Sequence, residues 1–230
     1  HMKHLKRHIN IAINKEYIEI QKYAFRKYKI KTVENKHTHL VPEELEQLER
    51  LSLTDKHMKL QKSLDAFLFC CYAGMRYSDF TNLSKKNIVD INQETWLIYK
   101  SVKTGTEVRL PLYLLFAGKG IVILNKYRNN LEDFFRLRDN SNINKDLIII
   151  AKLAGLSKKI SFHTARHTNA TLLIYNGVNI TTVQKLLGHK SVKTTQVYTN
   201  IMDMTIVHDL EKIKQAALGI KKKTDNSFNK

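Results

Sequence analysis

The chain has 230 residues, 43% of them hydrophobic, enough to build a core in one large domain or in a domain with an appendage. Its 39 Lys and Arg against 21 Asp and Glu leave a formal net charge of +18, an excess that calls for a polyanionic partner. No apolar run approaches the ~20 residues of a membrane span and no secretory signal opens the chain, so nucleic acid is favoured over an anionic membrane, in a cytoplasmic setting.

In chain order, His1 and Met2 read as a cloning scar joined to a fragment that starts within a longer protein. The spacing of Leu5, Ile9, Ile13 and Tyr17 predicts a helix from Lys3 to about Lys29 with one apolar stripe. Its other face is basic: between Lys3 and Lys36 there are ten Lys or Arg against three Glu. Lys31 to His39 has no periodicity and reads as a linker. Pro42 suits the first position of a helix whose opening turn is acidic, with Glu43, Glu44 and Glu46. A second helix, Leu60 to Ala73, is apolar almost all round and therefore central. Cys70 and Cys71 lie side by side within it, as two reduced core thiols of a cytosolic protein. Gly74 ends this helix and Arg76 follows at once, with Asp79 three residues on as its natural partner.

The register then changes. Thr95 to Tyr99 and Glu107 to Leu110 are β-rich runs joined by Ser101 to Thr106, a hairpin signature, and Asn87 to Ile91 supplies a third strand. Lys103 stands at the edge of that turn. Helices are expected from Gly120 to Asn129 and from Ile143 to Ala154, the latter capped by Ser141 and stopped by Gly155. Asn130 to Asn140 carries no assignable pattern. The fold class is therefore mainly α with a small antiparallel β-sheet.

Ser161 to Asn200 is the most informative stretch, three short helices punctuated by glycine. The first runs from about Phe162 towards Gly177. The second starts near Thr181, with Asn179 or Thr181 as cap, and ends at Gly188. The third follows Ser191 and carries Tyr198 near its end. His163 and Arg166, three apart, share a helix face, and His189 falls just past a glycine stop. Two His, one Arg and one Tyr thus converge from the ends of three helices. Arg binds phosphate oxygens with a planar fork, neutral His moves protons near pH 7, and a Tyr hydroxyl attacks once its proton is removed. The set suits chemistry on a phosphate, although a DNA-binding helical bundle with satisfied histidines would use the same residue types. Beyond Asn200, the stripe Ile206, Leu210, Ile213 and Ala217 predicts one last helix.

The pattern H-x-x-R-H at His163 to His167, then L-L-G-H ending at His189, then Tyr198 nine residues later, resembles the tyrosine recombinase (phage integrase) family. The resemblance extends over roughly Leu40 to Gly219. GMRYSDF at Gly74 to Phe80 is similar to the family's first arginine motif, which gives Arg76 that role. KTGTEVRLPL at Lys103 to Leu112 is similar to its hairpin lysine motif, which gives Lys103. Arg76, Lys103, His163, Arg166, His189 and Tyr198 therefore complete the catalytic set. Asp79 stands where a longer Glu is common, and Ala165 where a bulkier apolar residue is usual. The implied organisation is a remnant of the DNA-clamping domain plus linker over 1–36, a catalytic domain over 37–220 and a disordered basic tail over 221–230.

What the resemblance implies is site-specific DNA recombination, of the kind found in bacterial mobile elements. Tyr198 would attack a phosphodiester to give a 3′-phosphotyrosine and a free 5′-hydroxyl. Arg76 and Arg166 would clamp the nonbridging oxygens with His189 as a further donor. Lys103 would protonate the leaving oxygen, and His163 would be the base for Tyr198. No cofactor or metal is called for: His163 and His167 have the i, i+4 spacing of a zinc pair, but Arg166 between them would repel a cation. The partners implied are double-stranded DNA and further copies of the chain, a tetramer in the full-length synaptic complex, with no membrane. The alternatives are a topoisomerase of type IB acting alone, and a non-catalytic DNA-binding protein of the same fold.

Overall fold

The computed structural model describes residues 2–28 and 38–199. Two compact units divide the chain, His1–Lys36 and His37–Lys230. In the first, helix α1 spans Met2–Asn14 and a single 3-10 turn follows at Ile20–Lys22. The long helix expected to Lys29 thus ends early. Glu16 adopts a left-handed φ of 61°, and the Tyr17 and Glu16 amides donate back to the carbonyls of Ala12 and Ile13. Those two bonds are the ones a Schellman stop makes, with Glu where Gly is usual, so no sequence signal marks it. Phe25 is buried against Tyr23 and Tyr28.

The second unit is organised around helix α3 (Gln61–Ala73), whose residues from Ser63 to Ala73 are all buried. It is preceded by α2 (Pro42–Glu49), which Pro42 opens as read from the sequence, and a 3-10 stretch at Asp55–Leu60 takes the place of its expected first residue. Around α3 lie α5 (Lys119–Lys126), α6 (Leu131–Phe135), α7 (Asn140–Leu153) and, most intimately, α8 (Phe162–Tyr175). The stretch without a legible pattern forms α6, because Asn130 caps it by accepting from the Asp133 amide. Phe134 and Phe135 then point into an aromatic cluster with Phe69, Phe80 and Phe162. Asp139, not Ser141, caps α7, accepting from the Asn142 amide at 3.1 Å. Cys70 and Cys71 are buried free thiols.

The sheet has the order β1-β2-β3, formed by Ile88–Ile91, Glu94–Lys100 and Glu107–Pro111, antiparallel throughout. Alternation places Leu97, Tyr99, Val108 and Leu110 in the core. The remaining α-helices among the described residues are α4 (Tyr77–Phe80), α9 (Ile180–Leu186) and α10 (Lys193–Gln196). The third helix of the C-terminal stretch is thus a single turn: Val192 is its cap, Ser191 only receives the Lys193 amide at 3.3 Å, and Tyr198 lies beyond its end. The predicted helix over Ile206 to Gly219 and the basic tail lie outside the described residues. Among the described residues no helix is long and apolar enough to cross a membrane.

Candidate active site

Two glycines decide where the site forms. Gly74 closes α3 with a φ of +66°, and a Cβ there would stand 2.6 Å from Asn169 Oδ1 and 2.8 Å from Leu187 Cδ2. Only the missing side chain lets the end of α3 press against α8 and the loop after α9. Gly188, with a φ of +62°, does the same for β3: its absent Cβ would meet Val108 Cγ2 at 2.6 Å. Arg76 follows the first glycine and His189 the second, so each functional side chain leaves the backbone at a junction of elements.

Arg166 fills the first junction. It is 1% exposed. Its Nη1 donates to the Gly74 carbonyl at 2.7 Å and its Nη2 to the Leu187 carbonyl at 2.6 Å. The guanidinium thereby ties the ends of α3 and α9 to α8 while leaving three of its five N–H donors for a ligand. Burial, with Arg76 close by, lowers it to about 10, so it keeps its charge at neutral pH. Arg76 caps the start of α4 and reaches across to the hairpin turn. Its Nη1 contacts Asp79 Oδ2 at 3.3 Å and Ser101 Oγ at 3.2 Å. Asp79, fully buried at its side chain, also accepts from the Ser101 hydroxyl and from the Val102 amide at 2.8 Å. One carboxylate thus fixes both an arginine and the base of the turn that carries Lys103. Thr104 donates to the Gly188 carbonyl at 3.2 Å, which fastens the turn to the loop of His189.

His189 is 8% exposed and its Nδ1 lies 2.9 Å from the Thr195 hydroxyl. Thr195 is wholly buried. If the Thr195 hydroxyl donates to Nδ1, the proton of the neutral ring sits on Nε2. Burial first, then Arg166 and Arg76, depress this histidine from 6.5 to about 3, so it is a neutral donor at physiological pH. Tyr198, 5% exposed, lies with its ring parallel to that of His189 at 6.5 Å. Its phenol is raised by burial, against the pull of Arg166 and Arg76. The Tyr198 hydroxyl is 3.1 Å from His167 Nδ1. His163, one turn earlier on α8 and exposed, stands edge-on to His167 with ring centroids 4.5 Å apart.

Arg76, Lys103, His163, Arg166, His189 and Tyr198 all line one cavity of about 210 Å³, together with His167, Thr194 and Val197. Two cavities of about 380 and 250 Å³ run along α2, α3 and α5 past Glu49 and Lys119, and neither takes in any of the six. The smaller cavity is the chemically equipped one, with cations, imidazoles and a buried phenol facing one space. His167 was the residue missed from sequence. Its i, i+4 relation to His163 was legible, but only as a metal pair to be set aside.

A mainly helical body with a three-stranded antiparallel sheet thus carries an Arg-Lys-His-Arg-His-Tyr set on one cavity. The sequence matches the phage integrase family over residues 38–204, and the chain belongs to that family. It is 30% identical over 181 residues to a tyrosine recombinase of Pseudothermotoga lettingae, covering 76% of this chain and 60% of that protein. It is 50% identical over 171 residues to tyrosine recombinase XerD of Bifidobacterium longum, covering 67% of this chain and 54% of the relative. The chain therefore spans little more than half the length of these relatives. Its fold resembles that of a lambda integrase dimer bound to a COC' core site, with a TM-score of 0.65 at 20% identity, over 84% of this chain and 69% of the other. The fold is that of a tyrosine recombinase catalytic domain.

Proposed function

We propose that this chain is the catalytic part of a site-specific DNA recombinase that cuts and rejoins duplex DNA through a 3′-phosphotyrosine. One observation carries the reading: six residues drawn from widely separated segments face a single cavity that holds the Tyr198 hydroxyl. Family membership and the charge of +18 support it. In this scheme Tyr198 Oη forms a bond to phosphorus as the bond to the 5′-oxygen breaks. Arg76 and Arg166 neutralise the nonbridging oxygens, and His189 donates through Nε2. Lys103 gives a proton to the departing 5′-oxygen, and His163 serves the proton traffic of Tyr198. Rejoining runs the same steps backwards. The DNA would be held by several copies of the chain within the full-length protein, in the cytoplasm where both free thiols persist.

The test is covalent capture. The chain is incubated with a pool of nicked duplexes carrying randomised flanks, and SDS-resistant protein–DNA adducts are recovered and sequenced. Tyr198→Phe should abolish the adduct while leaving DNA affinity nearly unchanged, because a single hydroxyl is lost. Adduct formed by Tyr198→Phe at the wild-type yield would reject Tyr198 as nucleophile, with Tyr175 and Tyr77 next in line.

A further inference from the structure

We infer that His167 is the first acceptor of the Tyr198 proton, and so a catalytic residue beyond the six already considered. The inference rests on the reading of Tyr198 as nucleophile. Its observation is the 3.1 Å contact between His167 Nδ1 and the Tyr198 hydroxyl, both groups lying more than nine-tenths buried. A general base must stand within hydrogen-bond reach of the proton it takes, and His167 does. Two ring positions on α8 now have distinct places. His163 opens to solvent at the second residue of the helix, whereas His167 is buried one turn deeper, against the nucleophile.

The surroundings of His167 suit a transfer coupled to the arrival of a phosphodiester. His167 is faced by Tyr198 from the segment after α10 and by His163 from its own helix. Arg166, Arg76, Lys103 and His189 line the same cavity, with no carboxylate among the described residues that line it. Those cations are placed to draw a phosphodiester into the cavity beside the Tyr198 hydroxyl. A phosphodiester entering between Arg76 and Arg166 brings phosphorus within reach of the Tyr198 hydroxyl. The proton then moves from Tyr198 Oη to Nδ1 as Oη bonds to phosphorus, and Nδ1 returns it to Oη when the 5′-hydroxyl attacks in rejoining.

The neutral ring must therefore carry its proton on Nε2 in the free protein, with Nδ1 accepting from Tyr198. His167→Asn keeps an amide at the reach of Nδ1 but cannot take up the proton. On the nicked duplex recovered above, it should form adduct roughly 10²-fold more slowly or worse, as expected for loss of a general base. Melting temperature and DNA affinity should stay close to wild type. Difluorotyrosine at position 198, a more acidic phenol, should restore about tenfold or more of that loss, since a weaker base then suffices. Cleavage by His167→Asn within a few-fold of wild type, or no recovery with the acidic phenol, would overturn the assignment. Should the variant not fold, nitrogen NMR of the imidazole-labelled wild-type chain decides: Nδ1 of His167 must be unprotonated, and a protonated Nδ1 rejects the role. Full cleavage by His167→Asn beside a dead Tyr198→Phe would reject His167 alone, whereas adduct from Tyr198→Phe would reject the nucleophile itself.

Discussion

At the scale of single residues, the cavity works by giving each charged group a second task. Arg166 braces two helix ends through carbonyl bonds while holding donors towards the ligand space. Arg76 is held by Asp79 and Ser101, which would orient its fork for the proposed phosphate. Arg76→Lys keeps the charge but loses the planar fork, so the adduct rate should fall by roughly 10²-fold or more in a single-turnover assay. A rate close to wild type would mean that Arg76 serves only its ion pair. His189 offers a test through pH. Its folded value of about 3 lies below its ordinary 6.5, so between those two values the unfolded chain binds the extra proton. Stability must then decline as pH falls through that window. His189→Asn should flatten part of the decline, read as melting temperature against pH. An unchanged slope would mean that the imidazole is far less buried than it stands here.

At the scale of elements, the hairpin and the loop after α9 form one unit. Val108 packs on Gly188, Thr104 bonds its carbonyl, and Asp79 binds the turn at Val102. Lys103 and His189 therefore keep their places only as long as β3 and that loop remain in contact. Gly188→Ala forces a Cβ into Val108 and places an alanine at positive φ, a cost of about 1–3 kcal/mol. For a domain of this size that lowers the melting temperature by several degrees. Adduct formation should fall by more than DNA affinity does, because the backbone carrying His189 shifts while the basic surface is kept. Equal losses in both would place the damage elsewhere. Helix α10 makes a contrasting case. Being a single turn, it has little stability of its own, and the bonds from His189 to Thr195 and from His167 to Tyr198 are what hold that segment to the body.

At the scale of the whole molecule, a net charge of +18 would make the proposed binding to DNA a matter of counterion release. If six to ten phosphates are contacted, raising salt from about 50 to 200 mM should weaken binding by roughly 10³–10⁵. Gel shifts across that range on the recovered duplex check this, and a flat response would point to a partner other than DNA. The interior has another character. Helix α3 is apolar on nearly every side, and the aromatic cluster of Phe69, Phe80, Phe134 and Phe162 fixes the surrounding helices against it. That packed centre is what lets side chains from Arg76 to Tyr198 meet within one small cavity.

The sequence alone determined whatever depends on neighbours along the chain. The Pro42 start, the Gly74 and Gly188 stops, the three strands and the helix face shared by His163 and Arg166 follow from local sterics and periodicity. The six candidate residues were picked out because they lie within short motifs that resemble those of the family, and one cavity gathers all six. Where a stop or a cap used an unexpected residue, local reading failed: Glu16 ends α1 in a left-handed turn, and Asp139 rather than Ser141 opens α7. Only the tertiary structure decided which groups touch. Arg166 reaching the carbonyls of Gly74 and Leu187, and His167 meeting Tyr198, are relations between residues 92, 21 and 31 positions apart. Such distances are set by how α3, α8 and α9 pack. No pattern along the chain encodes them, because a period of 3.6 tells which side a residue faces and never what stands opposite.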